Sequence, residues 1–226
     1  MKTKSEVLRY LGRNGQSVPD DLDILVDDCI ALMRSSSSFR QVHSTFPISP
    51  AVDGIALTGT ELFLRGKDIA RALSGCRQTV LLAATLGAGT DALINKWKHA
   101  DPLRSLVLDA CATQLIEEHC DNFERQIWTE AAASGLKGTR RFSPGYGDLS
   151  LDIQPLILKT LDAGKKIGLT CTEHLILLPR KSVTAFIGLG EKNTIHTSGC
   201  EKCNLLDKCN FRKDNNNDGC QRMDKE

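Results

Sequence analysis

The sequence predicts an α+β protein: a single mixed domain with a twisted, largely antiparallel sheet flanked by helices, and a small cysteine-rich tail behind it. Three observations carry this expectation. The run TVLLAATLG, Thr79 to Gly87, is too continuously apolar for a half-exposed strand and reads as a buried one. The stretch from Leu103 to Trp128 keeps helical character far beyond the length of any strand. Strand and helix signals do not alternate in strict βαβ order, which argues against a doubly wound parallel sheet. The divisions that follow are a helical segment at 1–50, the mixed domain at 51–190 and the tail at 191–226.

Each element has its own signal. Ser5 can cap a short helix that places Val7, Leu8 and Leu11 on one face and stops at Gly12. A second helix opens on Pro19, Asp20 and Asp21, suited to a first turn, and puts Leu22, Leu25, Val26, Cys29 and Met33 at helical spacing. The serines from Ser35 to Ser38 break that pattern, and Val42 to Phe46, followed by Pro47, reads as a short edge strand or a loop. Ile55 to Leu57 reads as a strand, and Ile69, Ala72 and Leu73 as a short helix ending at Gly75. The buried strand and a helix come next, then the long helix after Pro102, whose middle carries the small residues Ala110, Ala112 and Thr113. A polar linker from Ser134 to Thr139 leads to RFSPGYGD, a helix around Pro155 to Leu161, and strands at Ile167 to Cys171 and Val183 to Gly188. Beyond Gly190 the apolar periodicity ends.

Bulk properties exclude several classes of function. With 226 residues the chain can bury a substantial core. Lys and Arg number 29 against 28 Asp and Glu, so no overall basic field attracts a phosphate backbone, and nucleic acid is not expected as a partner. The charged start MKTKSEVLRYLGRNG lacks a secretory apolar core, and no stretch approaches the roughly 20 apolar residues of a membrane span, so a cytoplasmic protein without membrane attachment is expected. Nine cysteines without an export signal read as reduced thiols rather than a disulfide framework. Cys29, Cys76, Cys111, Cys120 and Cys171 sit among apolar neighbours and read as core.

Several motifs have forms associated with chemistry. GAGTDA, Gly87 to Ala92, has the form of a dinucleotide turn, but the acidic residue that should end a second strand, Asp109, lies in the long helix, so an ordinary strand-to-helix turn is expected. DNNNDG, Asp214 to Gly219, begins like a calcium loop, yet its twelfth position is Lys225 where a bidentate glutamate is needed, and a solvated turn fits better. Cys200, Cys203 and Cys209 form C-x2-C-x5-C, with Cys220 further on and His196 before them. Four thiolates suit a tetrahedral zinc site or an iron–sulfur cluster better than a metal-free reduced tail, and the spacing does not choose between zinc and a cluster. Hydrolase and nucleotidase motifs are missing. His43, His99, His119 and His174 are isolated from one another and read as surface or hydrogen-bonded residues.

RFSPGYGD, Arg141 to Asp148, differs in kind. Pro144 fixes its own φ and biases Ser143 toward an extended conformation, while Gly145 allows a sharp turn that exposes backbone groups to a ligand. Arg141 offers a fork for a carboxylate, and Tyr146 an aromatic face for a ribose, an adenine or a sulfonium. A ligand with a carboxylate, a cation and a flat base suits the set. Loops of this composition are also common as plain surface turns.

These residues resemble the activation domain of cobalamin-dependent methionine synthase, in a short free-standing form. Its RxxPGY signature matches Arg141, Pro144, Gly145 and Tyr146, and the blocks AATLGAGTD, LDACATQLIEE, PGYGDLSLDIQ, LLPRKSVTAFIGLG and CEKCNLLDKCNFR follow in order from about Gly54 onward, with EVLRYLG near the start. The resemblance implies an S-adenosylmethionine-binding module that supports reductive methylation of inactive cob(II)alamin to methylcobalamin. Its partner would be a separate methionine synthase core or another corrinoid protein, with flavodoxin or ferredoxin as electron donor. By the same likeness Arg141 binds the methionine carboxylate, the backbone about Ser143, Pro144 and Gly145 meets the adenosine, Tyr146 packs near the ligand, and Glu117 on the long helix takes the amino group. The chain departs from the multi-domain enzymes in two ways: SVTAFIG offers Phe186 and Ile187 where they carry a tyrosine, and they lack the cysteine tail. A rival reading makes the tail the functional part of a non-catalytic metal-binding interaction protein.

Overall fold

The structure is a computed structural model that describes residues 2–13 and 16–191. The candidate metal ligands Cys200, Cys203, Cys209 and Cys220, together with His196 and the turn at Asp214, lie outside the described residues. Helix α1 (Lys2–Tyr10) buries Val7 completely. Ser5 is inside this helix and does not cap it, because the helix extends through Lys4, whose ammonium lies 2.7 Å from both Asp23 and Asp27. Those acids belong to α2 (Asp20–Ser36), which starts after Pro19, carries Asp20, Asp21 and Asp23 in its first turn where they complement the helix dipole, and buries Val26, Cys29 and Met33.

The sheet begins with β1 (Arg40–Ala51), and here the sequence expectation needs correction. The segment read as a short edge strand or loop, and as part of the N-terminal helical segment, is a 12-residue strand inside the sheet. Residues Arg40 to Pro47 pair antiparallel with β4 (Cys76–Thr85), while Ile48 to Ala51 pair with β2 (Gly54–Leu57). The strand thus exchanges partners near Pro47 and Pro50, so each half needs backbone donors toward one neighbour only, a place where prolines are tolerated. β3 (Phe63–Arg65) completes this side, followed by α3 (Lys67–Ala72).

After β4 come α4 (Ala88–Trp97) and α5 (Pro102–Ala133). Asp101 caps α5 by accepting a hydrogen bond from the Arg104 N–H at 2.9 Å. The remaining elements are β5 (Lys137–Gly138), α6 (Gln154–Leu161), α7 (Ala163–Ile167), the small hairpin β6 (Thr170–Cys171) and β7 (Leu177–Leu178), and β8 (Ser182–Gly190). Ile167 therefore ends a helix instead of opening a strand, and only Thr170 and Cys171 of the expected strand are extended. Short apolar runs do not distinguish a helix end from a strand by periodicity.

The six strands run in the order β3-β2-β1-β4-β8-β5, and every pairing is antiparallel. Helices cover both faces, as α+β patterning predicted. On one side Val80, Leu82 and Ala84 of β4 and Ile187 of β8 join the buried residues of α2 and α5. On the other, Leu81, Ala83 and Phe186 meet Ile157 and Leu161 of α6 together with Leu64 and Ile69. Burial on both faces explains why β4 reads as an unbroken apolar run although its sheet is antiparallel. Among the described residues no helix is long and apolar enough to cross a membrane.

Phe186 is fully buried, so Phe186→Ala should lower the unfolding free energy by about 3–5 kcal/mol. Ile24→Ala, at a position 61% exposed, should stay within about 1 kcal/mol. Urea unfolding of the two variants measures the contrast.

Candidate functional site

The loop that the sequence singles out is anchored at both ends. The chain leaves β5 still hydrogen-bonded to β8: the Thr139 N–H donates to the Gly188 carbonyl at 2.8 Å, and Phe142 and Phe186 exchange two backbone hydrogen bonds of 2.9 Å. At Ser143 it turns away from the sheet. The Tyr146 N–H donates back to Ser143 at 3.1 Å, the Gly145 N–H to Leu149 at 2.8 Å, and the Leu149 N–H to Tyr146 at 3.1 Å. Gly145 and Gly147 have φ of 89° and 53°, a region that side chains resist, and a Cβ on Gly147 would collide with the Asp68 carboxylate. At the far end the Asp148 carboxylate accepts from the backbone N–H groups of Lys67 (2.6 Å) and Asp68 (3.1 Å), the opening amides of α3. Desolvation pushes the Asp148 carboxyl up, but these amides and its own backbone N–H outweigh that and hold it below the usual carboxylate range.

The near end is fastened by α5. The Glu124 carboxylate, 3% exposed, accepts the Arg141 backbone N–H at 2.8 Å and the Arg141 Nη1 at 3.1 Å. Arg141 Nη2 donates to Asp121 at 2.8 Å and to Glu117 at 3.1 Å, while the Arg141 side chain keeps 13% exposure. Glu117, Asp121, Glu124 and Trp128 recur at helical spacing and share one face of α5. Trp128 continues the fastening: its Nε1 donates to the Thr139 carbonyl at 2.9 Å, and a Cβ on Gly138 would overlap its ring. The Arg140 guanidinium lies 5.0 Å from the Trp128 ring centre.

Electrostatics follow from burial. Desolvation pushes the Glu124 carboxyl above the usual carboxylate range, opposed by the Arg141 guanidinium and by the Arg141 backbone N–H. Desolvation also acts against the Arg141 charge, but Glu124 and the other carboxylates raise the Arg141 pKa. Glu117 and Asp121 are far more open, at 39% and 50% exposure, so their half of the network is screened by solvent and weaker than the buried half.

Beside the loop lies a groove of about 590 Å³, within the size range of small-molecule sites. Arg141, Ser143, Pro144 and Tyr146 line it, as does Glu117; Gly145 is outside the lining and shapes the turn. Asp121, Glu124 and Gln114 extend the α5 wall, Ser182, Val183 and Thr184 come from β8, and Thr3, Glu6 and Tyr10 come from α1. Phe186 is packed into the core on one face of the sheet and Ile187 into the core on the other. Asp121, Glu124 and Tyr10 escape a reading by motif. The carboxylate spacing of 117, 121 and 124 was visible, but acidic stripes on helices are usually solvated.

The other sequence candidates fall elsewhere. Gly87 makes the turn between β4 and α4, and a Cβ there would press on Ser38. Cys29, Cys111 and Cys120 are buried, whereas Cys76 and Cys171 are only half-buried. Burial pushes the thiols of Cys111 and Cys120 up to about 12, which makes them packing groups rather than nucleophiles. His119 stacks on Phe39 with ring centres 3.9 Å apart. Among the described residues no group of three or more His, Cys, Asp or Glu is placed to hold a metal.

The raised pKa of Glu124 has a defined sign. The folded state holds this proton more tightly than the unfolded chain, so the associated stability is complete below the ordinary glutamate pKa and is lost as pH rises through the folded value. Glu124→Gln keeps an acceptor for the Arg141 N–H and removes the titration. Urea unfolding between pH 4 and roughly 7 should therefore show a smaller decline with rising pH in the variant than in the parent.

No protein-family model matches the sequence, and no curated protein is significantly similar to it. Among solved structures the chain is similar to the crystal structure of the MetH reactivation domain bound to AdoHcy, at 19% sequence identity and a TM-score of 0.60, over 74% of this chain. It spans 65% of the length of that structure. The chain shares its fold with the MetH reactivation domain.

Proposed function

We propose that this chain binds S-adenosylmethionine in the groove beside Arg141 to Asp148 and presents its methyl group to cobalamin on a separate methionine synthase core. The reaction supported is the reductive methylation of inactive cob(II)alamin to methylcobalamin. The observation that carries the reading is the doubly anchored loop, which sets Arg141, Pro144 and Tyr146 on the wall of a ligand-sized groove. The fold adds support, since the neighbour that shares it was solved with AdoHcy, which is S-adenosylmethionine without the transferred methyl.

The residues suit this ligand by charge. The amino-acid end of S-adenosylmethionine carries one carboxylate and one ammonium, and the groove carries Arg141 beside Glu117 and Asp121. The ligand carboxylate replaces the two exposed acids on Arg141 Nη2, and the ligand ammonium meets the acids so released. Glu124 remains on Nη1 and on the backbone throughout, so Arg141 keeps its position during the exchange. Tyr146, 61% exposed, offers an aromatic face to the ribose or the sulfonium. The corrinoid of the partner supplies the nucleophile, and an electron donor of the flavodoxin or ferredoxin class supplies the electron. This chain contributes proximity and orientation, with no proton to move. Another corrinoid methyltransferase protein would make the same demands on the groove, and a choice of partners in the reconstitution below separates the two.

Calorimetric titration with S-adenosylmethionine should show one site. Arg141→Lys keeps the charge but loses the fork, and should weaken binding by about tenfold or more. Unchanged affinity in the folded variant, or no binding by the parent, would count against the reading. In a mixture of this protein, a cobalamin-loaded synthase core, a reductant and S-adenosylmethionine, the corrinoid spectrum should convert to methylcobalamin. A spectrum that stays at cob(II)alamin would refute the reactivation role.

A further inference from the structure

β8 runs past the point where its neighbour leaves it. Phe142 and Phe186 exchange two backbone hydrogen bonds of 2.9 Å, and at Ser143 the loop turns away. Continued in the same antiparallel register, the pairing would set Pro144 opposite Thr184, and proline has no N–H to give. Backbone groups along a strand point alternately to its two sides, so the N–H and C=O of Thr184 face the same way as those of Phe186, away from β4. The Thr184 hydroxyl reaches the Gln154 amide oxygen at 3.5 Å, but among the described residues nothing takes up the two backbone groups. Thr184 is nevertheless only 4% exposed, and it lines the groove. A buried donor and acceptor without partners are costly, which marks this stretch of edge as one that a bound molecule completes.

The groove also changes character along its length. Its carboxylates come from α1 and α5, whereas its aliphatic side chains, Pro144, Leu177 and Val183, come from the loop, β7 and β8. Arg141 lies one residue to one side of the Phe142–Phe186 pair and Thr184 two residues to the other, so about 10 Å of strand separates them along the sheet. A ligand whose amino-acid end is held at Arg141 therefore extends its other end toward Thr184. What it meets there is one donor and one acceptor side by side at a strand edge, with apolar side chains about them. The six-membered edge of adenine is complementary: N1 accepts, the neighbouring N6 amino group donates, and both lie in the plane of a ring with apolar faces.

We infer that the open edge of β8 reads the base, with the Thr184 N–H donating to N1 and the Thr184 C=O accepting from the N6 amino group. The inference rests on reading the groove as an S-adenosylmethionine site and adds its selectivity, for a 6-aminopurine over a 6-oxopurine. Calorimetry with S-adenosylhomocysteine and two analogues tests it. S-inosylhomocysteine, whose N1–H and 6-oxo group reverse both partners, should bind about tenfold or more weakly. The 7-deaza analogue of S-adenosylhomocysteine keeps N1 and N6 and should stay within about threefold by the same hydrogen-bond argument. In 15N-labelled protein, hydrogen exchange at the Thr184 amide should slow when S-adenosylhomocysteine is bound. Equal affinity for the adenosyl and inosyl compounds overturns this inference alone, as does a 7-deaza analogue as weak as the inosyl one or a Thr184 amide whose exchange the ligand leaves unchanged. A protein that binds neither S-adenosylmethionine nor S-adenosylhomocysteine overturns the reading of the groove together with this one.

Discussion

One buried carboxylate organises the site. Glu124 sits on α5 with almost no contact with water and grips Arg141 twice, by backbone N–H and by guanidinium. A buried ion pair is not in itself a large source of stability, since desolvation offsets most of the attraction. Removing either partner is another matter, because the survivor is left charged in a dry place. Glu124 and Arg141 are therefore more important for position than for net stability. With Trp128 one turn further along the helix, they dictate where the chain leaves the sheet, and Asp148 on the opening amides of α3 fixes where the loop ends.

The fold was largely legible because its strongest signals are local. The double-sided burial of β4, the length of α5 and the start of α2 were all written in residue spacing. β1 was less legible, since Pro47 and Pro50 argue against an interior strand until it is known that the strand divides its length between two partners. The helical end at Ile167 was hidden by a short apolar run that suits either conformation. In the site, Arg141, Pro144, Gly145 and Tyr146 were visible as a turn with functional groups. Glu124 and Asp121 were not, because a carboxylate stripe acquires its meaning from an arginine on a different element. Tyr10 lay inside the block EVLRYLG, but nothing in that block marked it as a groove residue.

The network around Arg141 is also divided by exposure, and the division matters for chemistry. Glu124 is buried and acts as a fixed post, whereas Glu117 and Asp121 face the groove with a third to a half of their surface open. Fixed and exchangeable charges thus sit on the same guanidinium. A site built this way can trade partners on one nitrogen without losing the orientation set by the other.

The groove takes its walls from α1, from the middle of α5, from the loop after β5 and from β8, with Gln154 of α6 and Leu177 of β7 also lining it, stretches that meet only when the sheet has formed and both helical layers are seated. No single hairpin or helix pair contains it. A molecule that spanned these walls would touch the beginning, the middle and the end of the described chain at once and act as a removable cross-link between them. Occupancy would then raise the resistance of the whole domain to unfolding, and not of the loop alone.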